Sequence, residues 1–190
     1  MEQLVLIQAA LQGSVVLKKD FIIKNSKEYG ASYAFLQLDK DLELDRVIYS
    51  RPFETWVQDC LAMIIGKVIY AGSKLSLTRV LSDSCLWNIC GIDEKTVDVN
   101  AHCYQSMDKL FERQDEIQRK LAAKHLNDNS IILYDITSSY FEGEYEESEI
   151  VDYGYNRDKK KGHEQIVIGL TCSKEGCPIA VEVFRGNTKD

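Results

Sequence analysis

Asp135 is the residue whose type and setting most suggest chemistry. It stands within Ile131-Ile-Leu-Tyr-Asp-Ile136, a short apolar run bounded by turn-forming residues. A carboxylate inside such a run is costly unless it is paired, hydrogen-bonded or bound to a metal. The structural alternatives are a cap at a strand end and a partner for Arg185; perturbed carboxylates mark functional sites only statistically. A second group is the basic cluster Arg157, Lys159, Lys160 and Lys161, which Asp158 alone interrupts. Such a cluster suits contact with phosphates or a solvated loop. The acidic residues Glu142, Glu144, Glu146, Glu147, Glu149 and Asp152 precede it without one basic residue among them. Cys90, His102 and Cys103 could be drawn as a zinc site, but a fourth ligand at sensible spacing is missing. The six cysteines form no C-x-x-C pair. With no secretory signal, reduced thiols buried in the core are the expectation.

The chain that must position these groups has 190 residues, 45% hydrophobic and 28% charged. That is enough for one ordinary domain or two small ones, and it argues against a disordered chain. No run of about 18 apolar residues is present, so no membrane span is expected. The opening Met1-Glu-Gln is acidic where a signal peptide needs positive charge, which points to the cytoplasm. The formal net charge is −7. A nucleic-acid binder usually shows a basic footprint, so this balance counts mildly against one.

Residues 1–53 are the least readable. A short helical pattern through Leu4, Ile7 and Leu11 ends at Gly13, and the charge-rich stretch Asp39–Asp45 reads as solvated surface. Residues 54–128 read as a helical subdomain. Trp56, Cys60, Met63, Ile64 and Val68 give one apolar face. Ser73 is an N-cap for Lys74–Leu81, and Gly91 stops a short helix through Leu86 and Ile89. Asn100 caps a helix bearing Tyr104, Met107, Leu110 and Phe111. Asp115 and Glu116 favour the start of another, carrying Ile117, Leu121 and His125. Residues 129–190 change character. Ile131–Ile136 reads as a strand buried on both faces, followed by strands over 165–171 and 179–184. Residues 172–177 suit a hairpin. The fold class is therefore α+β, a helical subdomain followed by a three-stranded antiparallel meander. The 28 residues 137–164 form a connection long enough to suggest a functional loop.

Five segments, in order, carry a family resemblance. Ala71-Gly-Ser-Lys-Leu75 and Tyr104-Gln-Ser-Met-Asp-Lys-Leu110 lie in the helical region. Tyr134-Asp-Ile-Thr-Ser-Ser-Tyr-Phe-Glu-Gly143 surrounds Asp135. Gly154-Tyr-Asn-Arg-Asp-Lys-Lys-Lys-Gly-His-Glu-Gln165 leads into a strand, and Val183-Phe-Arg-Gly-Asn-Thr-Lys-Asp190 closes the sequence. Over about residues 55–190 the chain resembles insertion-sequence transposases of the Asp-Asp-Glu (DDE) type, of the IS4-like superfamily. The resemblance implies a ribonuclease-H-like core with the first catalytic Asp on its first strand. There, three carboxylates hold two Mg²⁺ ions that activate a nucleophile for attack on a DNA phosphodiester. It makes Asp135 the catalytic residue and metal ligand, and DNA (element ends and target) the partner, with Arg157, Lys159, Lys160 and Lys161 as nucleic-acid contacts. Thr137, Tyr140 and Phe141 match the motif as packing and orienting residues.

On this resemblance the second Asp and the Glu fall beyond Asp190, and Asp190 itself belongs to a structural turn. The sequence is then expected to be the front part of a transposase, catalytically incomplete alone. Its first strand would be left as an exposed apolar edge, open to self-association or to a complementary transposase fragment. Two other readings stand beside it. One is a non-enzymatic DNA- or partner-binding remnant that interferes with an intact transposase. The other is a small metal-dependent nuclease drawing a second ligand from Asp152, Asp158, Glu164 or Asp190.

Overall fold

A helix start leaves backbone amides without partners inside the helix, and some starts here are closed by side chains. In the computed structural model, which describes residues 26–51, 54–127, 131–143, 145, 147–154 and 162–188, the helices are α1 (Gly30–Leu42), α2 (Leu44–Ile48), α3 (Thr55–Tyr70), α4 (Lys74–Arg79), α5 (Leu86–Ile89), α6 (Gln105–Glu112) and α7 (Gln114–His125). The strands are β1 (Ile132–Tyr140), β2 (Gln165–Ser173) and β3 (Pro178–Arg185). Ser73 caps α4 as expected, its hydroxyl accepting from the Ser76 amide at 3.1 Å. Gly91, at φ 87°, takes the left-handed turn after α5. Asp98, not Asn100, is the cap before α6, its carboxylate accepting from the amides of Asn100 and Ala101. The architecture is α+β, and its sheet is an antiparallel meander in the order β1-β2-β3. Among the described residues no single helix is long and apolar enough to cross a membrane.

The chain divides into two compact units. One comprises the described residues up to Leu42 with Gln58–Ser106, and the other Glu43–Val57 with the residues from Met107 on. In the first, Leu86, Trp87, Cys60, Ala62 and Cys103 are essentially inaccessible to solvent. Trp87 donates its indole N–H to the Leu77 carbonyl at 3.3 Å and meets the His102 ring edge-on. Glu28 pins the start of α1, its Oε1 accepting from the Ala31 amide and its Oε2 from the Ser32 hydroxyl. Asp39, expected on the surface, is buried; its neighbours 40–43 are exposed as expected. Truncating Trp87 to alanine is expected to cost about 3–5 kcal/mol, the range for large aromatic-to-alanine changes in a packed core. Urea denaturation followed by far-ultraviolet circular dichroism measures this. A cost below about 1 kcal/mol would place Trp87 outside the core.

Two helix faces differ from the sequence expectation. On α3, Trp56, Cys60 and Met63 are buried, but Ile64 and Val68 are exposed while Ala62, Ile65 and Gly66 turn inward. The reason is close helix approach: a Cβ on Gly66 would lie 2.4 Å from a Leu77 methyl. Tyr104, Met107 and Phe111 are also exposed, and Cys103 and Ser106 are buried instead. A π-helical turn over Val99–Tyr104 precedes α6, and its extra residue rotates the buried face. Ser106 is held by a 2.8 Å hydrogen bond from its hydroxyl to Asp59.

In the second unit the sheet presents two unlike edges. Beyond β3, the Gln114 side chain donates to the Val181 carbonyl at 2.7 Å, and the Val181 amide donates to Gln118 at 2.7 Å. Helix α7 therefore covers that edge. β1 is the other edge. Ile131, Ile132, Leu133 and Tyr134 are each about half exposed, so the expectation of a strand buried on both faces is corrected. Burial on both faces needs layers above and below a central strand, and among the described residues β1 is hydrogen-bonded to a strand on one side only.

Candidate functional site

Asp135 lies near the middle of β1, opposite Leu170 of β2, which in turn stands opposite Val181 of β3. Residues directly opposite in antiparallel strands share a face. Asp135 therefore shares its face with Leu133, Thr137, Leu170, Val181 and Val183. Asp135 and every one of these neighbours is exposed. On the opposite face the β2 residues Gln165, Val167 and Gly169 are buried. The desolvation cost that singled out Asp135 in the sequence is thus avoided by the open edge, not by a buried partner. Arg185, the structural partner considered for it, instead pairs with Asp152 at 3.1 Å.

A second constellation forms at the far end of the sheet, where β1 ends, β2 begins and β3 ends. Asp152 and Gln165 exchange two backbone hydrogen bonds, and Gly186 donates to the Ile150 carbonyl. The Gln165 side chain, 1% exposed, donates to the Gly186 carbonyl at 2.7 Å. Asp152 Oδ2 accepts from the Asn187 side-chain Nδ2 at 2.8 Å and from Arg185, while its Oδ1 accepts from the Tyr153 backbone amide. Gly154 and Gly186 abut so closely that a Cβ on Gly154 would lie 1.9 Å from the Gly186 carbonyl oxygen. Three segments far apart in sequence thus form one knot. Asp152, read in the sequence as a charge of the acidic loop and as a candidate second metal ligand of a small nuclease, is its hub. The clue available was the pair of glycines next to polar residues, which acquires meaning only once the strands are paired.

The structure brings Asp135 and this knot onto one sheet but not into one site. Five residue steps of strand lead from Asp135 to Tyr140, roughly 17 Å along β1. Arg157, Lys159, Lys160 and Lys161 lie outside the described residues, as do Asp158 and Asp190. No three His, Cys, Asp or Glu residues come together to hold a metal ion among the described residues. No group of three such residues includes Asp135 among the described residues, so the residues described there do not fit a two-metal centre. Cys90 and Cys103 are core thiols. Burial, with the Asp39 charge adding to it, pushes Cys90 up to about 12, and burial also raises Cys103. His102 Nδ1 accepts from the Asp98 amide at 3.1 Å. All six cysteines are free thiols.

Comparison with protein-family models, with curated proteins and with solved structures gave no match.

Proposed function

We propose that this chain acts on DNA as a DDE-type transposase, with Asp135 in a ribonuclease-H-like core. The observation that carries the reading is the position of Asp135, mid-way along the first strand of an antiparallel β1-β2-β3 meander. The knot lends support: Gly154 and Gln165 are the two ends of one segment of the resemblance and Gly186-Asn187 belong to another, yet they pack as one unit. Cleavage and strand transfer need further carboxylates beside Asp135. A non-enzymatic DNA- or partner-binding role is the second reading. A labelled duplex titrated at rising salt tests what both readings share. Binding that weakens linearly in log–log form is expected, and absence of binding at low salt removes the DNA reading. Mg²⁺-dependent nicking of the bound duplex separates the two.

The role of Asp135 has its own test. Mn²⁺, titrated as a paramagnetic stand-in for Mg²⁺, is expected to broaden backbone resonances of residues 133–137, and Asp135→Asn to abolish that broadening. The substitution should leave stability within about 0.5 kcal/mol, because the side chain is exposed. Broadening that centres on the acidic residues 142–152 and survives Asp135→Asn would remove Asp135 as a metal ligand.

A further inference from the structure

The second unit contains a cavity of about 460 Å³ lined by Tyr49, Ser50, Arg51, Arg113 and Glu116. Pockets of this volume accommodate small ligands or part of a larger one. Arg113 lies over the Tyr49 ring, its guanidinium carbon 4.2 Å from the centroid, and forms an ion pair with Glu116. Stacking of this kind fixes the guanidinium plane, and one of its terminal nitrogens is already committed to Glu116. Lys120 shares the same Glu116 carboxylate at 3.1 Å. It also donates to the carbonyls of Arg46 and Val47 and to the Ser50 hydroxyl, which shapes the segment that forms one wall.

The charges do not cancel. Glu116 is already shared between Arg113 and Lys120, and the Lys120 hydrogen bond leads the effects holding its carboxyl below the ordinary value. Arg51 is exposed and makes no ion pair among the described residues. The cluster of Arg51, Arg113, Lys120 and Glu116 therefore carries a net charge of about +2, in a chain whose formal net charge is −7. Arg113 Nε is buried with no hydrogen-bond acceptor among the described residues. A buried, charged donor without an acceptor is costly. The Ser50 hydroxyl, which accepts from Lys120, keeps its own proton to donate to a ligand in the cavity.

We infer that this cavity is a phosphate-binding site, with Arg113 and Arg51 supplying charge and N–H donors and Ser50 a hydroxyl donor. It is a different place from Asp135 and from residues 157–161. It rests on the DNA reading only for the source of the phosphate.

The test uses the full chain and two probes. The first is a duplex carrying either a 5′-hydroxyl or a 5′-phosphate, followed by fluorescence anisotropy across a salt series. The second is inorganic phosphate, followed by calorimetry. The variants are Arg51→Ala, at an exposed position, and Arg113→Lys, which keeps the charge but loses the planar guanidinium; melting curves confirm that each folds. If the source is a backbone phosphodiester, both duplexes bind alike and Arg51→Ala lowers the salt slope by about 0.9. Arg113→Lys then weakens binding several-fold. If inorganic phosphate or only the 5′-phosphorylated duplex binds, and Arg51→Ala abolishes this, the site stands with a free or terminal phosphate as its ligand. Duplex binding that neither variant changes overturns the site while leaving the DNA reading intact. Absence of binding to both probes overturns the site and the DNA reading together.

Discussion

Replacing Gly186 with alanine is expected to destabilise the sheet-bearing unit by about 3 kcal/mol or more, at the upper end of overpacking costs. A Cβ there would sit 2.0 Å from the Gln165 carbonyl oxygen and 2.4 Å from that of Asp152. Both obstacles are backbone atoms already engaged in the Asp152–Gln165 bridge, so no side-chain rotation relieves the clash. To accommodate the methyl group, the chain would have to break that bridge or the 2.7 Å hydrogen bond from Gln165 to Gly186. Gly176→Ala is the control. It lies in the β2–β3 turn at φ 83° with nothing within 4 Å of the added Cβ, so only backbone strain of about 1 kcal/mol applies. Urea denaturation of both variants gives the comparison. Equal stability losses would mean that the strands do not cross tightly at Gly186.

The same knot marks the limit of what the sequence discloses. Punctuation was legible because it is local: Ser73 and Gly91 act on amides and carbonyls within a turn of themselves. The strands over 165–171 and 179–184 were legible from their apolar runs, and the structure extends them only to 165–173 and 178–185. Helix faces were harder. A single π-helical turn before α6 turns Tyr104, Met107 and Phe111 outward, and nothing in the spacing of those residues foretells it. The helix Gly30–Leu42 was missed because its buried residues include Ser32 and Asp39, which a search for apolar periodicity passes over. Asp135 was placed correctly on a strand. Its surroundings were not legible, because exposure depends on what pairs with the outer edge of β1. Asp152 was hidden for a related reason: its partners Gln165, Arg185 and Asn187 come from distant segments, and only strand pairing unites them.

That outer edge governs the remaining expectation, that the isolated chain self-associates through β1. Nine residues of β1 pair with β2 without a register break. The strand has no proline and no lysine, and Asp135 is its only acidic residue. The devices that usually protect an edge strand are therefore nearly absent, whereas α7 covers β3. Two copies can pair antiparallel along the full length of β1 when Ile136 faces its own counterpart. In that register Asp135 opposes Thr137, so the two carboxylates do not meet head-on. Sedimentation velocity across a concentration series should show dimers or larger species, and Leu133→Lys should return the chain to monomer. Leu133 is 49% exposed, so the added lysine should cost the fold little, within about 0.5 kcal/mol. The register carries a further consequence. Pairing puts a threonine, not a carboxylate, beside Asp135, so self-association creates no shared metal site and Mg²⁺ should leave it unchanged. A wild-type chain that stays monomeric at every concentration would sink the edge-pairing argument. Association that requires Mg²⁺ would instead show that the copies meet through their carboxylates.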